Sequence, residues 1–248
     1  MLGKTLMYWR SSVRQPAVWS VVIWMGLLIA LTAVALAAVG GRSFLSVIAS
    51  GSASATTLGP TLAPGAASHV AILLLLAGAI STFVAAGEYG MFGRAVAGKP
   101  VTWQSFWGYM FEYYGRLWGF ALYTLLWIIS LVILAVVLGL VMHAVGVLLV
   151  FVAAFFSWPW AVRMMGGLFV SEQPWRQSFT AIFHSRGYGA ILGAELIALT
   201  AYMAGFMVVH LLGLLYAPLA IALSWAVDLF LLVAGQIWML AVYRASVN

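Results

Sequence analysis

The chain contains no cysteine. That absence excludes a disulfide framework, thiolate metal sites and a cysteine nucleophile. Charge is scarce as well: 6% of residues are Asp, Glu, Lys or Arg, against about 25% in an ordinary soluble domain. Five acidic residues face eleven Lys and Arg, a formal net charge of +6. The basic residues are too few and too scattered to build a nucleic-acid-binding face, so no nucleic acid partner is expected. Catalytic signatures are missing too. There is no phosphate-binding glycine loop, no Gly-x-Ser-x-Gly, no His-Glu-x-x-His and no paired carboxylates outside the apolar stretches. No enzyme activity and no cofactor are expected.

What is present is apolar. Of the 248 residues, 65% are hydrophobic, and the mean hydropathy is +1.11. A soluble chain of this length has no single core large enough to hide so much apolar surface; a chain solvated by lipid has no need of one. The twelve Trp and ten Tyr suit a membrane–water interface, where a ring has one apolar side and one polar handle.

A membrane span needs about 20 apolar residues. Six stretches qualify, at roughly 17–39, 69–88, 117–138, 145–165, 188–212 and 217–243. Lys4, Arg10 and Arg14 before the first, with Ala35, Ala37 and Ala38 near its end, mimic a secretory signal. Its apolar run of about 23 residues is longer than the roughly 7–15 of a signal, so a retained span is expected. Lys4, Arg10, Arg14, Arg94, Lys99, Arg116, Arg163, Arg176, Arg186 and Arg244 then all fall on one side, and only Arg42 on the other. The charged side is expected to be cytoplasmic, with both termini on it.

Residues 40–68, rich in Ser, Ala, Thr and Gly with Pro60 and Pro64, read as a flexible outer loop. The outer connections near Leu140–Ala144 and Gly213–Tyr216 are very short, which predicts tight hairpins. Before the third span stands Thr102-Trp103-Gln104-Ser105-Phe106, continuing through Trp107, Tyr109, Phe111, Tyr113 and Arg116. Before the fifth stands Trp175-Arg176-Gln177-Ser178-Phe179, continuing through Phe183, His184 and Arg186. Each follows a proline (Pro100, Pro174), a helix-start signal. Each mixes aromatic and basic residues as a helix lying in the headgroup layer would. Leu6-Met7-Tyr8-Trp9-Arg10 has the same character. The expected fold is an all-α polytopic membrane helix bundle forming one integral membrane domain. It has six transmembrane helices as three hairpins, each preceded by a cytoplasmic interfacial amphipathic helix, in repeat-like units of about 1–90, 91–165 and 166–248.

Two stretches carry a resemblance. Arg94-Ala95-Val96-Ala97-Gly98-Lys99-Pro100 runs into Ser105-Phe106 and Gly115-Arg116; Phe169-Val170-Ser171-Glu172 runs into Gln177-Ser178-Phe179. Over about residues 80–195 the pattern resembles the membrane domain of glycerophosphoryl diester phosphodiesterases and related bacterial polytopic proteins of unknown function. The resemblance implies a fold and a place in the bacterial cytoplasmic membrane. It implies no catalysis, because the phosphodiesterase catalytic domain is a separate soluble barrel. Six-span permeases of ABC exporters are also similar, in the Arg14-Gln15-Pro16 stretch and in the cytoplasmic segment from Glu88 to Arg116; the repeated hairpins favour the first resemblance.

Candidate chemistry sits inside the spans. Asp228 lies near the middle of the sixth, and Glu195 roughly 10 Å into the fifth at 1.5 Å per residue. Ionisable groups at such depth face the bundle or a cavity. Glu195 is expected near the level of Gln236, and Asp228 nearer Thr200 and Tyr202. These acids serve either a proton or cation relay or a structural role, as neutral carboxyls or with Glu195 paired to Arg163. His69, His143 and His210 stand at outer ends of spans and are candidate metal or haem ligands, although none forms a short i, i+4 pair. Ala77, Gly78, Ala85, Ala86 and Gly87 suit close helix packing, Gly93 and Gly98 a loop exit, and Pro159 a kink in the fourth span.

The leading expectation is an accessory or structural membrane protein. It would bind lipids, other membrane proteins or its own copies through Arg94, Lys99, Trp103, Trp107, Arg116, Trp175, Arg176 and Arg186. The alternatives are a transporter or ABC-exporter permease component using Asp228 and Glu195, and a haem- or metal-binding membrane subunit.

Overall fold

A computed structural model of the chain describes residues 1–28, 30–32, 34–35, 66–181, 183, 187–215, 223–224, 227 and 230–247. The outer loop expected at 40–68, up to residue 65, lies outside them, as do Arg42, His184, Arg186 and Asp228. Every element among the described residues is helical. We number α1 (Leu2–Val13), α2 (Ala66–Val96), α3 (Ser105–Met142), α4 (Ala144–Phe169), α5 (Trp175–Ala181), α6 (Tyr188–Leu215) and α7 (Gln236–Val247). A 3₁₀ turn at Pro16–Trp19 follows α1, and a π-helical segment, Leu231–Gly235, runs directly into α7. Three of the described helices (α3, α4 and Tyr188–Val209 of α6) are long and apolar enough to cross a membrane, or four if Leu2–Val13 and Pro16–Thr32 form one broken span.

Contacts group the chain into two units, residues 20–85 and residues 1–19 with 86–248. In the smaller unit, outward apolar side chains recur at helical spacing: Ile23, Leu27, Leu31 and Val34 in one stretch, Ile72, Leu76 and Ile80 in α2. The hydroxyls of Thr32, Ser81 and Thr82 hydrogen-bond to carbonyls of their own helix, which leaves the outer surface apolar.

In the larger unit α3 and α4 run antiparallel, joined at His143. Its positive φ of 50° makes the one-residue turn. Trp127 Nε1 donates to Ser157 Oγ at 2.8 Å, and Arg116 Nη1 to the Leu168 carbonyl at 2.9 Å. The helix continues through Pro159.

The last turns of α2 pack closely where Gly87, Gly90 and Gly93 present no side chain. A Cβ on Gly87 would stand 2.8 Å from a Phe106 ring carbon, and one on Gly93 would collide with the Phe169 carbonyl oxygen. Gly93, expected at a loop exit, is therefore a packing position inside α2. Gly98, with φ +77°, does form the exit. On α4, Gly166 plays the same part for the Tyr243 ring of α7. The core of this unit holds Phe92, Phe106, Tyr113, Phe169 and Leu240.

The segment before the stretch expected as the third span corrects one expectation. It is no separate interfacial helix: α3 is continuous for 38 residues. Nothing between Ser105 and Met142 breaks it, since the stretch holds no proline. Its first turns are directed by packing, with Phe106, Tyr109, Tyr113 and Leu117 buried on one face. The other two segments expected to be interfacial are separate helices for visible reasons. Pro16 interrupts the ladder after α1, and Gly187 takes φ +76° between α5 and α6.

Candidate functional site

Two polar places stand out in the larger unit. The first lies where α2 ends, α3 begins and α4 passes to α5. Arg94 Nη2 meets Glu112 Oε1 at 2.7 Å, and its Nε donates to the Tyr113 hydroxyl at 3.0 Å. The Tyr113 hydroxyl in turn donates to Glu172 Oε1 at 3.0 Å, which also takes Lys99 Nζ at 2.8 Å. The guanidinium of Arg94 lies 5.0 Å from the Tyr109 ring centre, and that of Arg116 lies 5.1 Å from the Tyr113 ring centre. The hydrogen bond from Lys99, then that from Tyr113, holds the Glu172 carboxyl below the usual carboxylate range. Two of the chain's five acids thus gather at Arg94. Arg244, from α7, donates to the Val96 carbonyl and stacks 4.2 Å from the Tyr8 ring centre of α1. Arg94, Lys99 and Arg116 were among the expected lipid- or partner-binding residues; Glu172, Tyr113 and Arg244 were named in the sequence but not as site residues, and Glu112 was not named. The signal available for the two acids was their rarity among so many basic neighbours.

The opposite, outward face of the same end of α3 is aromatic. Trp107, Phe111 and Trp118 follow one another at helical spacing along α3, Trp103 stands in the turn before it, and all four are exposed, Phe111 by 73%. Trp175 is exposed too, with the Arg176 guanidinium 5.8 Å from its ring centre. On α1, Leu2, Leu6 and Met7 point outward beside Lys4, Arg10 and Arg14, while the polar Thr5 and Ser12 are buried. Their hydroxyls are satisfied by carbonyls of their own helix.

The second place is a cavity of about 670 Å³ between α2, α3, α4, α6 and the π-to-α7 segment. Tyr89, Phe120, Trp127, Phe155, Trp158 and Tyr202 supply its aromatic walls, and Thr124, Glu195 and Gln236 are its other polar side chains. Glu195 is 5% exposed. Neither of its oxygens has a hydrogen-bond partner among the described residues, nor does Gln236 Oε1. The structure thus brings Glu195 and Gln236 to one space. It forms no Glu195–Arg163 pair among the described residues; Arg163 is buried and turned to other neighbours, Tyr243 among those that act on its charge. The π-helical turn ends at the same place, at the lining residue Gly235. The carbonyl of Ala234 accepts a 2.9 Å bond from Trp9 Nε1, and the ring of Trp9 meets Trp238 edge-on at 6.2 Å. Glu88, 3% exposed with Oε1 unpartnered among the described residues, is a buried acid that the sequence showed only as the edge of a span.

Among the described residues no group of three His, Asp or Glu is placed to hold a metal. His143 forms the α3–α4 turn, its Nδ1 3.2 Å from the Gly139 carbonyl. His69 lies in α2 and His210 in α6, with side chains outside the description. Comparison with known proteins returns no matching family model, no matching curated protein and no matching solved structure.

Proposed function

We propose that this chain is a six-span protein of a bacterial cytoplasmic membrane, its termini cytoplasmic, whose role is accessory: it holds lipid headgroups against its cytoplasmic rim. The observation that carries the reading is the outward stripe Trp107, Phe111 and Trp118 on α3, with exposed Trp103 in the turn just before it; the same end of α3 holds the Arg94–Tyr113–Glu172 cluster on its other face. Large rings that face outward at the end of the molecule that also gathers Arg94, Lys99 and Arg116 match the headgroup layer of an anionic leaflet, where aromatic and basic residues are both favoured. The six spans run roughly 17–39, 69–88, 117–138, 145–165, 188–212 and 217–243, paired as three hairpins. This is the architecture that the resemblance to the phosphodiesterase membrane domain implies.

The test is gentle purification from native membranes with mass spectrometry of what stays bound. Wild type should retain anionic lipid in defined stoichiometry, and a Trp103→Ser, Trp107→Ser, Phe111→Ser variant should lose most of it while keeping its helix content. A defined protein partner in place of lipid would make the stripe a protein interface. Retention unchanged in the triple variant would end the reading.

The cavity beside Glu195 favours a second reading, a transporter or exporter-permease component. Neutralising Asp228 and Glu195 together should then abolish substrate flux; flux that persists in the double variant would remove the mechanism based on these acids.

A further inference from the structure

We infer that the cavity beside Glu195 is a binding site for a lipophilic organic cation, a bulky ammonium or phosphonium that enters from the lipid side. This goes beyond the lipid-rim reading and involves a different face of the molecule. The space, about 670 Å³, falls within the roughly 300–1,000 Å³ of small-molecule sites. Of its sixteen lining residues six are aromatic and none is basic. The fully buried polar atoms of this lining without a partner among the described residues are both oxygens of Glu195 and Oε1 of Gln236, which accept when the carboxyl is ionised. A carboxyl held at this depth without a partner is costly. A cation compensates it, and an anion would be repelled. Trp127, Trp158 and Tyr202 add π faces, which attract a cation that has no N–H to donate. Trp158, Leu199 and Tyr202 are exposed as well as cavity-lining. The mouth therefore opens sideways between α4 and α6, on the apolar surface, where a lipophilic molecule arrives and a hydrophilic one does not.

The probe is tetraphenylphosphonium, and its control is the near-isosteric anion tetraphenylborate. Each is titrated separately onto the full-length protein in phosphatidylcholine nanodiscs, and saturable binding is read as the excess over protein-free discs. Wild type should bind the phosphonium saturably and show no saturable excess of the borate. Glu195→Gln should weaken phosphonium binding at least about tenfold, and Ala198→Trp, which fills the cavity, should abolish it. Absence of saturable phosphonium binding to wild type, or equal saturable binding of the borate, would overturn the inference. So would undiminished binding by a Glu195→Gln protein that elutes as wild type does. If Glu195→Gln fails to fold, the comparison of the two ions on wild type still decides.

Discussion

A methyl group at Gly93 would meet the Phe169 carbonyl, whereas one at Gly108 would meet nothing within 4 Å. Both glycines lie inside helices, where alanine is intrinsically favoured by about 1 kcal/mol. Gly108→Ala should therefore leave the melting temperature in detergent unchanged or raise it. Gly93→Ala should lower it, because overpacking costs about 1–3 kcal/mol. Fluorescence-detected size-exclusion after heating separates the two. Trp9→Phe keeps a ring against Trp238 but loses the bond to the Ala234 carbonyl; a loss of about 1 kcal/mol is expected in the same assay. At this scale the sequence was half legible. Glu195 and Gln236 stood out because an acid or amide in an apolar run has few reasons to be there. Trp127 and Tyr202 did not, because an aromatic residue in a helix that is apolar all round carries no sign of which way it points. Gly93 was misread because close packing and a loop exit ask for the same residue.

Between elements, Glu172 ties the α4–α5 connection to Lys99 beyond α2 and to Tyr113 on α3. Its carboxyl is held below the usual carboxylate range chiefly by the Lys99 hydrogen bond. A group with a lowered folded value adds stability that is present above its unfolded value and is lost as pH falls through the folded one. Melting temperature should therefore fall as pH drops below the ordinary carboxylate range, and Glu172→Gln should flatten that dependence and lower stability at neutral pH. The network is partly solvent-exposed, so the effect should be modest, about 0–1 kcal/mol per pair, and should shrink at high salt. A pH–melting series on both proteins measures it. The continuous α3 was hidden for a related reason. Trp103 to Arg116 has the composition of a surface-lying helix, and only the buried face of Phe106, Tyr109 and Tyr113 shows that protein packing sets its direction.

For the whole molecule, helical class and apolar character were readable from composition, because a chain with 6% charged residues has no soluble solution with so much apolar surface. Topology is the finer claim, and the missing cysteine makes it simple to test. Any cysteine introduced is the only thiol, so one impermeant maleimide reports one position at a time. Ser52→Cys lies in the expected outer loop, and His143→Cys at the exposed α3–α4 turn. Thr102→Cys and Val247→Cys lie in exposed stretches expected to be cytoplasmic. Six spans require the first two to label on intact cells and the last two only after lysis. The pattern discriminates because each span reverses the side of everything after it. A missed or invented span between residues 52 and 143 would put those two positions on opposite faces. One between 143 and 247 would bring the turn and the C-terminal helix to the same face. Labelling of Val247→Cys on intact cells would therefore overturn the six-span count, while Thr102→Cys protected beside a labelled His143→Cys would establish α3 as a crossing helix.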